Sequence, residues 1–212
     1  MMRFISGIAG FALLGGVASP SFATAITQGG ASVVPSTIAT FTGFNTLAMT
    51  PSMPYSIGGT DTGFVGESAG TWTGNPFGPN DLTFVYQVFV STGSIAQLSG
   101  SPFGGFSLDV VQFQDSGTTA ASNAIFTSGG VIEFNFANDL TPNQESYFLI
   151  VSTNAPFYNS GPIGLVNAPG VPTSDPGYAP STSPIPEPST LSLLGTGILG
   201  VAAGLRRRTL RK

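Results

Sequence analysis

The feature that most constrains this 212-residue chain is its lack of cations, because no lysine, arginine or histidine occurs between Phe4 and Leu205. The six basic residues lie at the two ends: Arg3, Arg206, Arg207, Arg208, Arg211 and Lys212. Of the ten acidic residues only Glu187 lies beyond residue 183, so a body spanning 26–183 carries nine acids and cannot form a side-chain salt bridge. Since phosphate binding depends on lysine and arginine, the body is predicted not to bind nucleic acid.

The residue types also limit the chemistry. The chain has no cysteine and no histidine, which excludes Ser-His-Asp and Cys-His arrangements, disulfides and zinc-thiolate sites. A pair of carboxylates is the remaining route to catalysis, as in glycosidases, and Asp109 and Glu133 are its candidates. Both occupy polar positions of alternating segments, where solvent-facing acids are expected. The sequence therefore predicts no catalytic residue, no cofactor and no metal site.

Calcium is an alternative that the spacing of the acids does not support. Loop oxygens that could contribute to such a site belong to Asn138, Asp139, Asn143 and Glu145, or to Asp61 with its neighbours. Their spacing matches neither an EF-hand nor a repeat-type calcium loop. Ordinary turn-forming roles are predicted for these residues.

Three aromatic residues could stack on sugar rings. Trp72 lies between two threonines in a predicted strand, where a core position is expected. Tyr158 and Tyr178 are expected to be exposed and remain candidates for sugar contacts.

An all-β fold is predicted from composition and periodicity. Glycine and proline supply 29 and 17 residues, 41% of the chain is apolar, and no long amphipathic helix is visible. Strongly alternating patterns predict strands at 82–90, 106–110, 131–136 and 146–152, and further strands are predicted near 37–44 and 62–73. The doubled Val110-Val111 predicts a bulge. We expect an antiparallel β-sandwich or jelly-roll-like body at residues 26–173.

The N-terminal end has the pattern of a secretory signal peptide at residues 1–25. Arg3 precedes an apolar run that is too short to span a bilayer, and Pro20 and small residues follow it. Cleavage after Ala23 and cleavage after Ala25 both fit the pattern.

The C-terminal end combines a spacer with a membrane segment. Residues 174–185 are rich in proline, serine and threonine, which predicts an extended spacer. The uncharged stretch 189–205 predicts a single short transmembrane helix. The basic residues after it, Arg206, Arg207, Arg208, Arg211 and Lys212, are predicted to stay in the cytoplasm and to orient the body outward.

Pro186, Glu187 and Pro188 form a rigid, extended element directly before the apolar stretch. With the Arg-rich end, residues 186–212 resemble the PEP-CTERM sorting signal of Gram-negative bacteria. The resemblance implies recognition by a membrane transpeptidase, exosortase, during transit through the inner membrane. It further implies removal of the tail and a final location at the cell surface or outside the cell, often in organisms that make exopolysaccharide.

Two functions are consistent with these features. The first is a non-catalytic exported protein of the cell surface or extracellular matrix. The alternative is a secreted carbohydrate-binding module, with a glycosidase as its less favoured variant, acting on exopolysaccharide.

Overall fold

The computed structural model describes residues 24–100, 102–115, 117–168 and 170–184. These residues form thirteen β-strands and contain no helix that could cross a membrane. In chain order the strands are β1 (Ala25–Ile26), β2 (Ser36–Ile38), β3 (Phe44–Met49), β4 (Met53–Ile57), β5 (Asp61–Trp72), β6 (Leu82–Thr92), β7 (Ile95–Gly100), β8 (Leu108–Phe113), β9 (Asn123–Phe126), β10 (Ile132–Leu140), β11 (Phe148–Thr153), β12 (Phe157–Asn167) and β13 (Pro172–Ser181). The predicted signal peptide up to Ala23 and the predicted membrane helix lie outside the described residues.

The strands form two sheets. The first has eight strands in the order β1-β8-β11-β6-β5-β3, with β2 also pairing β8 and β4 also pairing β5. The second has five strands in the order β13-β12-β7-β10-β9. All strand pairs are antiparallel except β2 with β8. The prediction of an all-β, antiparallel body is therefore confirmed.

The main hydrophobic core lies between the two sheets, which makes the body a sandwich. Alternate residues of β6 point into it, and each is at most 1% exposed: Leu82, Phe84, Tyr86, Val88 and Val90. The second sheet contributes Leu98, Phe134, Ile163 and Leu165 to the same cluster. Burial of each large apolar side chain contributes roughly 2 kcal/mol relative to exposure.

A second hydrophobic cluster covers the outer face of the first sheet. Phe41, in the segment between β2 and β3, packs at 5.1 Å from Trp72 and at 6.2 Å from Phe113, measured between ring centroids. Trp72 is 5% exposed and its indole N–H donates to the Thr42 carbonyl at 3.0 Å, so its predicted core position is confirmed.

This outer cluster explains why the predicted bulge in β8 is wrong. The pairing of β8 with β11 runs without interruption through Val110 and Val111. Val110 belongs to the core between the sheets and Val111 to the outer cluster. The doubled valine reflects a strand that is buried on both faces, because the segment around Phe41 covers the outer one.

The predicted spacer at 174–185 is also wrong over most of its length. Pro172–Ser181 form β13, which pairs with β12 along its whole length as an edge strand of the second sheet. Gly177, Ala179, Pro180 and Ser181 are buried. The folded body therefore extends to Ser181, well past the predicted boundary at residue 173.

Candidate functional site

The two carboxylates considered for catalysis do not form a pair. Asp109 follows Leu108 on β8 and alternates with core residues, so it lies on the outer face of the first sheet. Glu133 alternates with Ile132 and Phe134 on β10 and lies on the outer face of the second sheet. The sandwich core separates them, and paired sheets lie about 10 Å apart. This arrangement does not place two carboxylates across one glycosidic bond.

Asp109 also differs from its prediction as a solvent-facing acid. It is 3% exposed, in register with Ala25 of β1 on one side and with Ser152 of β11 on the other. Burial raises the pKa of Asp109 to about 6. The sequence correctly predicted its polar position in the alternation, but it did not predict that β1 and β2 would pair with β8 and extend the sheet on that side.

A polar depression of about 480 Å³ lies where β10, the β10–β11 turn and the segment before β9 meet. It is lined by three threonines, two amides, one carboxylate, one aromatic ring and two alanines: Thr118, Thr119, Ala120, Ala137, Asn138, Asp139, Thr141, Gln144 and Tyr147. Two residues considered for calcium, Asn138 and Asp139, belong to this lining. We call it the threonine-rich depression.

An irregularity in β10 forms one wall of this depression. Between Asn135 and Leu140 the strand advances five residues, while its partner β7 advances only two, from Gln97 to Ile95. The extra residues are pushed out of the ladder, which turns Asn138 toward the depression. Bulges of this kind often reorient side chains next to binding sites.

The turn after β10 forms the second wall. Asn143 has a φ of 66°, a left-handed conformation that few residues other than glycine adopt. The turn is fixed by a hydrogen bond from Thr141 N–H to Gln144 Oε1 at 2.8 Å. The Asn143 N–H also donates a hydrogen bond to the Val90 carbonyl of β6 at 2.9 Å. Asn143 itself is not part of the lining, but the turn it permits presents Thr141 and Gln144 to the depression.

The third wall is a short segment that pairs with the start of β11. Thr118 N–H donates to the Glu145 carbonyl at 2.8 Å, and Tyr147 N–H donates to the Thr119 carbonyl at 2.8 Å. The Thr118 hydroxyl accepts from Glu145 N–H at 3.2 Å. These backbone bonds leave the side chains of Thr119 and Tyr147 on the lining of the depression.

The depression offers hydrogen-bonding groups but no positive charge. Hydroxyls, amides and one carboxylate, Asp139, surround the Tyr147 ring, a combination that suits a neutral, hydroxylated ligand. No group of three or more acidic side chains that could hold a metal ion occurs among the described residues. At the calcium alternative near β5, Asp61 instead accepts bonds from Ser94 N–H at 2.8 Å and from Asn167 Nδ2 at 3.0 Å.

The most unusual polar group is Glu67, which is fully buried on the inner face of β5. Its Oε2 accepts a hydrogen bond from Tyr178 N–H of β13 at 2.7 Å. Tyr86, its register partner on β6, is also fully buried. Two glycines of the second sheet provide the space, because a side-chain carbon at Gly177 would collide with Glu67 Oε2 and one at Gly100 with Tyr86 Oη.

Burial dominates the electrostatics of this pair. It raises the pKa of Glu67 to about 8, against smaller opposite effects of the Tyr178 N–H and the Tyr86 hydroxyl. Burial and the nearby Glu67 charge raise the pKa of Tyr86 well above its ordinary value. Within the described part of the chain, neither Glu67 Oε1 nor Tyr86 Oη completes a hydrogen bond. We therefore attribute the raised pKa of Glu67 to burial rather than to a hydrogen bond with Tyr86. Glu67 is therefore mainly protonated at neutral pH.

Sequence reasoning missed Glu67, although a signal was present. Val65, Glu67 and Ala69 alternate along β5, which places the acid on an apolar face. The threonines and the tyrosine of the depression carried no such signal, because Thr118, Thr119 and Tyr147 are brought together only by tertiary pairing.

The C-terminal residues lie beyond the described structure and are assigned by comparison. Residues 184–208 match the family profile of the PEP-CTERM protein-sorting motif, including Pro186, Glu187 and Pro188. The chain carries a PEP-CTERM sorting motif. Such a motif is recognised by an exosortase and implies export with membrane-anchored transit. Arg206, Arg207 and Arg208 fall within the match, whereas Arg211 and Lys212 follow it.

No curated protein and no solved structure matches this chain. The PEP-CTERM match covers the C-terminal region alone, so it describes how the chain is sorted. The chemistry of the β-sandwich must be argued from its own residues.

Proposed function

We propose that the mature chain is a non-catalytic protein of the cell surface or extracellular matrix, exported and then processed at its PEP-CTERM motif by an exosortase. The observation that carries this proposal is the match at residues 184–208 directly after a folded body. The absence of histidine and cysteine from the chain supports a non-catalytic role. The separation of Asp109 from Glu133 on opposite outer faces adds to that support.

Intact-mass measurement combined with cell fractionation tests the processing step. In the native host, we expect a mature chain that lacks Arg206 and all later residues and is found outside the inner membrane. A Glu187→Gln variant should retain its tail and accumulate in the inner membrane, while a Glu133→Gln variant should be processed normally. An unmodified C-terminus on wild-type protein that remains in the inner membrane would contradict the proposal.

The contacts of β1 favour one of the two possible signal-peptide cleavage sites. The Thr24 carbonyl accepts a hydrogen bond from Val110 N–H at 3.0 Å, and its hydroxyl lies 2.7 Å from the Ser36 hydroxyl. Ala25 pairs with Asp109. Cleavage after Ala25 would remove these contacts, so we expect the mature chain to begin at Thr24. N-terminal sequencing of secreted protein checks this, and a chain starting at Ile26 would refute it.

A second candidate function is binding of a neutral glycan in the threonine-rich depression. The bulged wall of β10 and the Tyr147 ring favour it, because both contribute to one polar surface. The lack of cations argues against acidic sugars, whose carboxylates would meet a body of uniformly negative charge.

A glycan array, probed with and without calcium, tests this second candidate. We expect selective binding of neutral glycans that is reduced at least tenfold in Tyr147→Ala and Asn138→Ala. Asn45→Ala, an exposed asparagine on β3 away from the depression, serves as the matched control and should bind normally. Arrays without any binding, or equal losses of binding in all three variants, would contradict glycan binding in the depression and leave the structural role as the only candidate. Turnover abolished by Asp109→Asn or Glu133→Gln would instead establish an enzyme.

A further inference from the structure

The last strand of the body connects directly to the sorting motif. β13 ends at Ser181, and the PEP-CTERM match begins at residue 184. The position of β13 therefore determines how much extended chain separates the folded body from the motif. This inference depends on the sorting motif but not on whether the body binds a glycan.

The prolines of β13 show which side of the strand is free. N–H groups along an antiparallel strand alternate in direction, and the Tyr178 N–H points away from β12 toward Glu67. Pro172, Pro176 and Pro180 occupy positions of the same parity as Tyr178. They lack the donors that would face outward, so addition of a further strand at this edge is disfavoured. Tyr178 N–H, with its bond to Glu67, fixes β13 to the first sheet.

No positive group compensates Glu67 if it ionises, because no cation occurs between residues 4 and 205. Titratable groups on the strands packed around it are all acids or phenols: Tyr55 on β4, Asp61 on β5, Tyr86 on β6, Tyr158 on β12, and Asp175 and Tyr178 on β13. β7 contributes none. An ionised Glu67 therefore has to reach water, and a covering edge strand is easier to displace than the central strands β5 and β6.

We propose that Glu67 is a protonation-controlled latch for β13: the neutral carboxyl holds the strand against the first sheet, and loss of its proton favours release of the strand. Release would add the ten residues of β13 to the chain between body and motif. An extended segment of that length spans about 33 Å. The latch would thus set the distance between the folded body and its membrane-embedded processing enzyme according to pH.

Amide hydrogen exchange on the full chain, corrected for the intrinsic pH dependence of exchange, tests the latch. The Glu67 pKa moves from 4.5 in water to about 8 in the closed state. Protection of β13 should therefore fall by up to about tenfold per pH unit between these values and level off above pH 8. Amides of β6 and β10, which open only with the whole body, should show the same pH trend but exchange more slowly than those of β13 at every pH, because β13 opens without them.

Two variants separate the latch from general instability. In Glu67→Gln the side chain still accepts the Tyr178 N–H but cannot ionise, so β13 protection should become independent of pH. In Tyr86→Phe, which removes a hydroxyl that completes no hydrogen bond among the described residues but keeps the Glu67 carboxyl and its bond from Tyr178 N–H, the pH dependence of β13 protection should persist. Equal protection of β13 and β6 across the pH range, or an unchanged pH dependence in Glu67→Gln, would overturn the proposal.

Discussion

Two carboxylates on β5 show opposite responses to being placed in a body without cations. Asp61, at the start of the strand, is 8% exposed and accepts hydrogen bonds from Ser94 N–H, Asn167 Nδ2 and the Thr60 hydroxyl. These donors lower the pKa of Asp61, with the Ser94 N–H as the largest cause. Glu67, six positions along, is fully buried with a single firm donor, and its pKa rises to about 8.

The difference teaches that hydrogen-bond donors replace counter-ions here. Where donors converge beside solvent, as at Asp61, the charged form is stabilised. Where one donor faces a dry interior, as at Glu67, the neutral form is favoured. The two acids therefore affect stability in opposite directions: Asp61 destabilises the body as pH falls through its lowered pKa, and Glu67 destabilises it as pH rises from about 4.5 to about 8.

The largest expected effect is that of Glu67→Gln. Wild type should lose stability as pH rises toward 8, because the unfolded chain releases the proton that the folded body retains. The variant removes this loss and should raise the free energy of unfolding by about 3 kcal/mol at pH 7, with little change at pH 4. Urea titrations at several pH values measure it. A variant less stable than wild type at pH 8 would contradict this, because it would show that the carboxyl makes a stabilising interaction that the amide cannot make.

Asp61→Ala should act in the opposite sense. It removes the acceptor for three donors and should lower the free energy of unfolding at pH 7 by about 2 kcal/mol, a moderate value because Asp61 lies near the surface. Asp61→Asn is the matched control and should lose less, since its side-chain oxygen can still accept the Ser94 N–H. Urea titrations measure both variants. An equal loss of unfolding free energy in the two would contradict a hydrogen-bonding role for the Asp61 side chain.

The smallest effect is expected for Asp109→Asn. Burial raises the pKa of Asp109 to about 6, so wild type loses stability between about pH 4 and pH 6. The variant should be about 1 kcal/mol more stable than wild type at pH 7, because it has no carboxyl to ionise in the buried site. Thermal unfolding at pH 4 and pH 7 compares the two. A gain at pH 4 as large as that at pH 7 would assign the effect to packing.

Strands with strong alternation could be predicted from sequence. β6 and β10 were identified because apolar residues recur at every second position and face the core. The weak segment at 37–44 was wrong, since only Ser36–Ile38 and Phe44–Met49 are strands and the residues between them cover the outer face. That covering is a tertiary contact, which no local pattern indicates.

β13 could not be predicted for a different reason. Its prolines are typical of an extended linker, and their compatibility with a strand depends on which side pairs with β12. Only pairing with Phe157–Asn167 reveals that the missing donors face outward. The threonine-rich depression was not predicted, because Asn138 and Asp139 were assigned turn-forming roles and the wall around Thr119 depends on a long-range bridge to Ser146.

The absence of cations has a practical consequence for finding this protein in a cell. Trypsin cleaves after lysine and arginine, so it has no site between Arg3 and Arg206, and the mature body remains one very large fragment. Amine-reactive reagents that label surface proteins through lysine have only the chain terminus to modify. A survey of secreted proteins that relies on either method would overlook it, whereas cleavage beside the phenylalanines and tyrosines would reveal it.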